Sequence, residues 1–432
     1  LLPEGDHRLV LGVPRPVLDD AHFRWDFTVD GTPPTLEVPP AIDPVAIDAE
    51  ADVRGTVERG ATLTAGGDPV DVGDDGAFHL HFDRPPVGPV TLVATDAAGN
   101  TTTAPVVIPV TYPGVRGVHV TAAAWSNAQL RGGVLALVDQ HRIDTVQLDL
   151  KDEGGVVGFD TTVPRAREIG AVTNFYDLDA AITTLHARGV RVVGRISAFR
   201  DPILARAAWA AGQGDQVIQT TDGDLYTVSG PYTNPANLAV RRYNLDIAVD
   251  AVSRGVDDIL WDDARLPTGR LDQVVVPGLA GSPSDAVVGF LAESHGELRR
   301  RGAYQGVIVD GESATQGDTY GQDVARVARN ADYVAPEIYP GYWTTPGRFG
   351  VADPPRQPGD LVRGVLAGYQ QVTAGSGAVL VPWLQDFTVN GVRYEEPEVR
   401  AQIDAARSLG VDRFLLWSPS ITYTDSALDP TG

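Results

Sequence analysis

From Tyr112, Pro113 and Gly114 onward, short apolar runs alternate with stretches of helical periodicity, the pattern of β–α units around a parallel sheet. Eight runs read as strands: 117–122 (GVHVTA), 145–150 (TVQLDL), 190–196 (VRVVGRI), 258–263 (DILWDD), 306–311 (GVIVDG), 333–339 (YVAPEIY), 379–385 (VLVPWLQ) and 413–417 (RFLLW). Helical stretches fit between them. Residues 177–188 stop at Gly189, 239–254 at Gly255 and 400–409 at Gly410, each a helix-ending glycine. Eight strands in about 300 residues predict an α/β fold, a (β/α)8 barrel over residues 113–432. An open doubly wound sheet is the competing topology, but the first β–α turn carries no G-x-G-x-x-G and gives nucleotide binding no support.

Before residue 112 the period is two rather than 3.6. Short alternating runs from Asp52 to Val110 are punctuated by Gly66-Gly67, Asp75-Gly76 and Gly99-Asn100, where turns would fall. This predicts a small β-sandwich at 35–112, with residues 1–34 forming either a remnant of a preceding module or extra strands plus a linker. The runs GTVERGATLTAGGDPVDVGDDGAFHLHF and VTLVATDAAGNTT resemble bacterial immunoglobulin-like modules of secreted, multidomain surface enzymes. That resemblance implies an immunoglobulin-like spacer or docking piece. His79 and His81 share one strand face, but without a third ligand they read as a solvated face rather than a metal site.

Composition narrows the chemistry. The chain has 432 residues, no cysteine and a formal charge of −23. Disulfides, cysteine-type zinc sites and thiol catalysis are excluded, and the acidity argues against nucleic acid or anionic lipid as partner. Taken whole, the charge favours a neutral or cationic ligand. No run of about 18 apolar residues appears, so no membrane span is expected. The first residues, Leu1-Leu2-Pro3-Glu4, do not form a signal segment; a secreted or cell-surface protein with its signal already removed is the expectation. No cofactor is called for, and nothing sets an oligomeric state. Lys151 is the only lysine in an arginine-rich chain, which hints at a job that arginine cannot do.

In such a barrel the working residues lie at the C-terminal ends of the strands. Those ends are polar here, while strand middles are nearly all Val, Ile and Leu. The second strand ends in Asp149, Lys151 and Asp152; the third carries Arg195; the fourth Asp262, Asp263 and then Arg265; the fifth Asp310 and Glu312; the sixth Glu337 and Tyr339; the seventh Gln385 and Asp386. Of seven tryptophans, Trp125, Trp261, Trp343, Trp383 and Trp417 fall at or just past strand ends. Indole faces suit sugar rings and carboxylates take their hydroxyls. Strand phase sets Trp261 apart, against a helix, and turns Asp262, Asp310, Glu337 and Tyr339 inward, with Glu312 following Asp310. Asp262 with Asp310 or Glu337 is then a pair suited to glycoside hydrolysis, where one carboxyl is protonated and the other ionised. The plainer role for Asp262 is to bind a sugar hydroxyl or to pair with Arg265. Lys151 grips substrate oxygens or pairs with a neighbouring carboxylate; a Schiff-base role has no support. Arg195 and Arg265 orient carboxylates, bind ligand or form structural ion pairs. No H-E-x-x-H, G-x-S-x-G or Walker A motif is present, and His119 is the sole histidine at a strand end.

The runs QLDLKDEGGVVGFD, VVGRISAFRDPILA, DDILWDDARLP, VDGES, DYVAPEIYP and VPWLQDFT, in this order, resemble an uncharacterised bacterial family of glycoside hydrolases with a TIM barrel. The resemblance spans roughly residues 115–420. It implies that Asp262, Arg265 and Pro267 sit on the family's strand-4 motif Asp-Tyr-x-Arg-Phe-Pro, that Asp149, Lys151 and Asp152 match its strand-2 motif, and that Asp310 matches a strand-5 aspartate. Asp263 replaces the family's tyrosine, and Glu337 stands where methionine is expected. On the resemblance alone, Asp310 is therefore favoured over Glu337 as the partner of Asp262. The expected activity is polysaccharide hydrolysis by two carboxylates; the alternative is a barrel that binds glycan for attachment or sensing without cutting it.

Overall fold

The computed structural model describes all residues except 1, 17, 18, 20, 40, 41, 229, 269, 270, 317–319, 431 and 432. The chain forms two compact units, residues 1–111 and 112–432.

The first unit is all-β. Gly5–Val13 and Ala21–Val29 pair antiparallel as a ribbon. Leu36–Glu37, Ala51–Val57 and Ala77–Phe82 form a three-stranded sheet, and Asp68–Val70, Thr62–Ala65, Val90–Thr95 and Thr101–Val106 a four-stranded one. Alternate residues of these two sheets, including Val53, Leu63, Phe78, Leu80 and Leu92, share one apolar core, as the period-two pattern requires. His79 and His81 both point at Asp52, at 2.7 and 3.1 Å.

The second unit is a closed barrel of eight parallel strands: β1 (Arg116–Val120), β2 (Thr145–Lys151), β3 (Arg191–Ser197), β4 (Asp258–Asp262), β5 (Tyr304–Asp310), β6 (Tyr333–Ile338), β7 (Trp383–Gln385) and β8 (Phe414–Trp417). Each pairs with the next, and β8 closes onto β1. All eight predicted runs are barrel strands. Outward residues such as Val146, Leu148, Ile259, Trp261 and Val307 pack against the surrounding helices. Trp261 is fully buried there, edge-on to Phe290 of the helix Pro283–Arg300, with its Nε1 donating to Gln305. Its predicted outward phase is therefore correct.

The barrel floor is sealed by polar and aromatic side chains. Arg191 pairs with the buried Asp258, which also accepts a 2.6 Å hydrogen bond from Tyr112. Tyr333 fills the space over Gly306, where an added Cβ would lie 2.1 Å from its ring. Gly306→Ala should therefore cost about 1–3 kcal/mol by overpacking, read as a lowered urea midpoint. An unchanged midpoint would show that the ring can retreat.

Candidate active site at the barrel mouth

Above this floor, the strand ends open into a cavity of about 430 Å³. Alternation along each strand decides who reaches it. His119 of β1, Asp149 of β2, Arg195 of β3, Asp262 of β4 and Glu337 of β6 all face in. Tyr339, Trp383 and Trp417 form part of the wall, and Arg265 reaches it from the loop after β4.

Arg195 organises the acidic side. Its Nε and Nη2 lie 2.8 and 2.6 Å from one Asp262 oxygen, Nη1 lies 2.9 Å from Asp149, and Nη2 also reaches Glu153 at 3.1 Å. His119 Nε2 approaches the same Asp149 oxygen at 3.1 Å. Burial alone would raise the pKa of Asp149, but Arg195 and His119 outweigh it and hold the carboxyl at about 2. The Asp263 N–H donates to Asp262 at 2.6 Å.

Asp263 breaks the strand's alternation. Its φ of +45° turns the backbone out of the extended region, a conformation costly for a non-glycine residue and often kept at working sites. Its carboxylate thereby also reaches the cavity, where Arg265 Nη2 and Ser197 Oγ each hold one oxygen at 3.0 Å.

Glu337 is different. It is only partly exposed, and among the described residues its carboxyl forms no ion pair or hydrogen bond. Burial and the neighbouring Asp262 charge, against the pull of Arg265, push its pKa up to about 8. Glu337, Tyr339 and Tyr342 also border a second hollow of about 300 Å³, so the two cavities adjoin at Glu337. That second lobe carries Asp310, Glu312 and Trp343, with Glu312 ion-paired to Arg348 at 2.7 Å. Asp310 itself is exposed, one oxygen accepting from the Glu312 N–H.

Five expected site residues lie outside both cavities. Lys151 is fully buried and turned to the outer core: a register shift between Asp149 and Lys151 against β3 sets it opposite outward-facing Ile196. A one-residue slip moves a side chain to the other face of a strand. Its Nζ meets Asp201 and Asn244, each at 2.7 Å, rather than substrate or a neighbouring carboxylate. Asp152 closes a turn by accepting from the Gly154 and Val156 N–H groups. Trp125 belongs to the helix Ala122–Ser126, which starts directly after β1 and carries the indole into the outer core. Gln385 is fully buried, tying Gly341 to Phe387. Asp386 accepts two 2.7 Å hydrogen bonds from Thr424 and so anchors the C-terminal segment.

His119, Glu153, Arg200 and Asp263 line the mouth without having been singled out as site residues. Phase along 117–122 could have found His119, and both Glu153 and Arg200 lie inside the runs LDLKDE and ISAFRDP. Nothing local announces the turn at Asp263.

Fold and mouth together define a TIM barrel with a carboxylate-rich, aromatic-walled cleft. Residues 117–423 match the family model described as "Putative glycosyl hydrolase domain", and the chain belongs to that family. No curated protein matches. Among solved structures, the PgaB (BpsB) glycoside hydrolase domain from Bordetella bronchiseptica is similar at 16% identity and a TM-score of 0.55, over 74% of this chain and all of that one. An endo-1,4-β-D-mannanase from Thermotoga petrophila is similar at 13% identity and a TM-score of 0.47, over 71% and 88%. A hypothetical protein from Ruminiclostridium thermocellum is 24% identical over 44% of this chain and 96% of that one, at a TM-score of 0.40. Among the described residues, no helix is long and apolar enough to cross a membrane.

Proposed function

We propose that the barrel hydrolyses a glycosidic bond in a polysaccharide, with Glu337 as proton donor and Asp262 as the ionised carboxylate, nucleophile or base. The observation that carries this reading is the contrast between two neighbouring carboxyls. Asp262 is clamped by Arg195, whereas Glu337 beside it has no ion-pair partner among the described residues and holds its proton to about 8. A carboxyl that keeps its proton beside one paired with an arginine is suited to proton donation, and its neighbour to charge stabilisation or attack. Trp383 and Trp417 offer faces for sugar rings, and Asp310, Glu312 and Trp343 extend binding into the adjoining lobe. Glu337 is preferred to Asp310 as acid because Asp310 is exposed and borders only the second lobe. Family membership supports the reaction class.

The test is to incubate the protein with a panel of neutral, acidic and amino polysaccharides and to size the products. New reducing ends on at least one substrate are expected. On that substrate, kcat/KM should fall as pH rises through about 8, because the donor must be protonated and its raised pKa keeps it so up to that point. A second reading, glycan binding without cleavage, draws on the double contact of Arg195 with Asp262, which occupies the carboxylate. Retention of polysaccharide with no new reducing ends would select it.

A further inference from the structure

The carboxylates of the main cavity are already engaged, apart from Glu337. Asp149, Glu153 and Asp262 share Arg195, and Asp263 has one oxygen on Arg265 and the other on Ser197. What the cavity leaves unpartnered is mostly hydrogen-bond donors. Arg265 Nη1 and Trp383 Nε1 are buried with no partner among the described residues, and both can only donate. Tyr339 Oη is likewise buried and unpartnered. Arg200 also lines the cavity, partly buried, and its guanidinium meets no acid or other acceptor among the described residues. A partly desolvated guanidinium with no hydrogen-bonded acceptor leaves donors for something else to satisfy.

Arg200 is held in place by its backbone. The residue forms a backbone bridge with Tyr232. Arg265 stands on the same β3–β4 side of the mouth. Asp263 takes Arg265 Nη2, which leaves Arg265 Nη1 and the Arg200 guanidinium as hydrogen-bond donors on this wall. A carboxylate or an acidic ester presents several strong acceptor oxygens that match guanidinium N–H groups, which a hydroxyl or an amide carbonyl does not.

We propose that the sugar unit seated at the β3–β4 side of the mouth carries an anionic substituent, a carboxylate or acidic ester, gripped by Arg200 and Arg265. This rests on the glycan reading above and names the substrate class within it.

The experiment measures binding of the catalytically disabled full chain (Glu337→Gln) by calorimetry to size-matched oligosaccharides: neutral, N-acetylated, cationic amino, uronate-containing and sulfate-esterified. One of the two acidic sets should bind at least about tenfold more tightly than the neutral set, and which one identifies the substituent. Neutralising the preferred group, by methyl-esterifying the uronate or removing the sulfate, should erase the preference without touching the protein. Arg200→Gln should bring the acidic-to-neutral affinity ratio close to one. Equal affinity for acidic and neutral sets, preference for the amino or N-acetylated set, or a ratio untouched by Arg200→Gln would overturn the proposal while leaving glycan binding intact. Failure of every set to bind would remove the glycan reading and this inference with it.

Discussion

Glu337→Gln is expected to lower kcat by about 10²–10⁴-fold, the usual contribution of a positioned general acid, while preserving volume and fold. Asp262→Asn should be at least as damaging to hydrolysis and should still leave a folded, glycan-binding protein. The two losses should not multiply, because both residues serve one bond-breaking event. A stability measurement checks the Glu337 assignment independently of substrate. Its folded pKa lies near 8, against an ordinary value of 4.5. Between those values the folded state therefore holds a proton that the unfolded chain releases, and stability falls as pH rises across the window. Glutamine removes that slope. The variant should denature at a higher temperature than the parent at pH 9, with the gap shrinking toward pH 4. Parent-like turnover in Glu337→Gln would eliminate it as the acid, and a gap indifferent to pH would show that its carboxyl is not protonated in the fold.

The barrel was legible because its strands are buried on both faces and its helices end on glycine, two signals that tertiary contacts reinforce. Phase along single strands also turned Asp262, Glu337 and Tyr339 toward the mouth and Trp261 away from it, and position at a strand end pointed to Asp149 and Arg195. Reading failed where the backbone departs from regular pleating. The register shift before Lys151 and the positive φ at Asp263 each reverse the face that alternation assigns. Gln385 and Asp386 stand at a strand end, as expected, yet the loops above them claim their polar atoms. Net charge speaks to a different level. The −23 of the whole chain is a sum over every residue, while in the main cavity Asp149, Glu153 and Asp262 converge on Arg195, Asp263 pairs with Arg265, and Arg200 makes no ion pair among the described residues. The field at a site follows from its own pairs, not from the sum.

Lys151→Met should destabilise the barrel by about 3–5 kcal/mol, the cost of leaving one member of a buried ion pair unanswered. The Lys151 and Asp201 side chains are both inaccessible to solvent and 2.7 Å apart. Asp201 does two jobs, since its other oxygen caps the helix Pro202–Ala210 through the Leu204 N–H. Removing the ammonium therefore strands a carboxylate that cannot leave without uncapping the helix. Asn244 loses its donor as well. Lys151→Arg should not rescue, because a planar fork is bulkier than the ammonium that Asp201, Asn244 and the Ala198 carbonyl surround. This gives the chain's only lysine its reason, as a point charge inside the scaffold rather than a grip on substrate. The double change Lys151→Met with Asp201→Asn should recover much of the loss, because asparagine keeps the cap and carries no charge. Urea denaturation of the three variants separates the terms. If the double variant is no better than Lys151→Met, the penalty comes from packing rather than from the unpaired carboxylate, and if Lys151→Arg matches the parent, the site does not demand a compact ammonium.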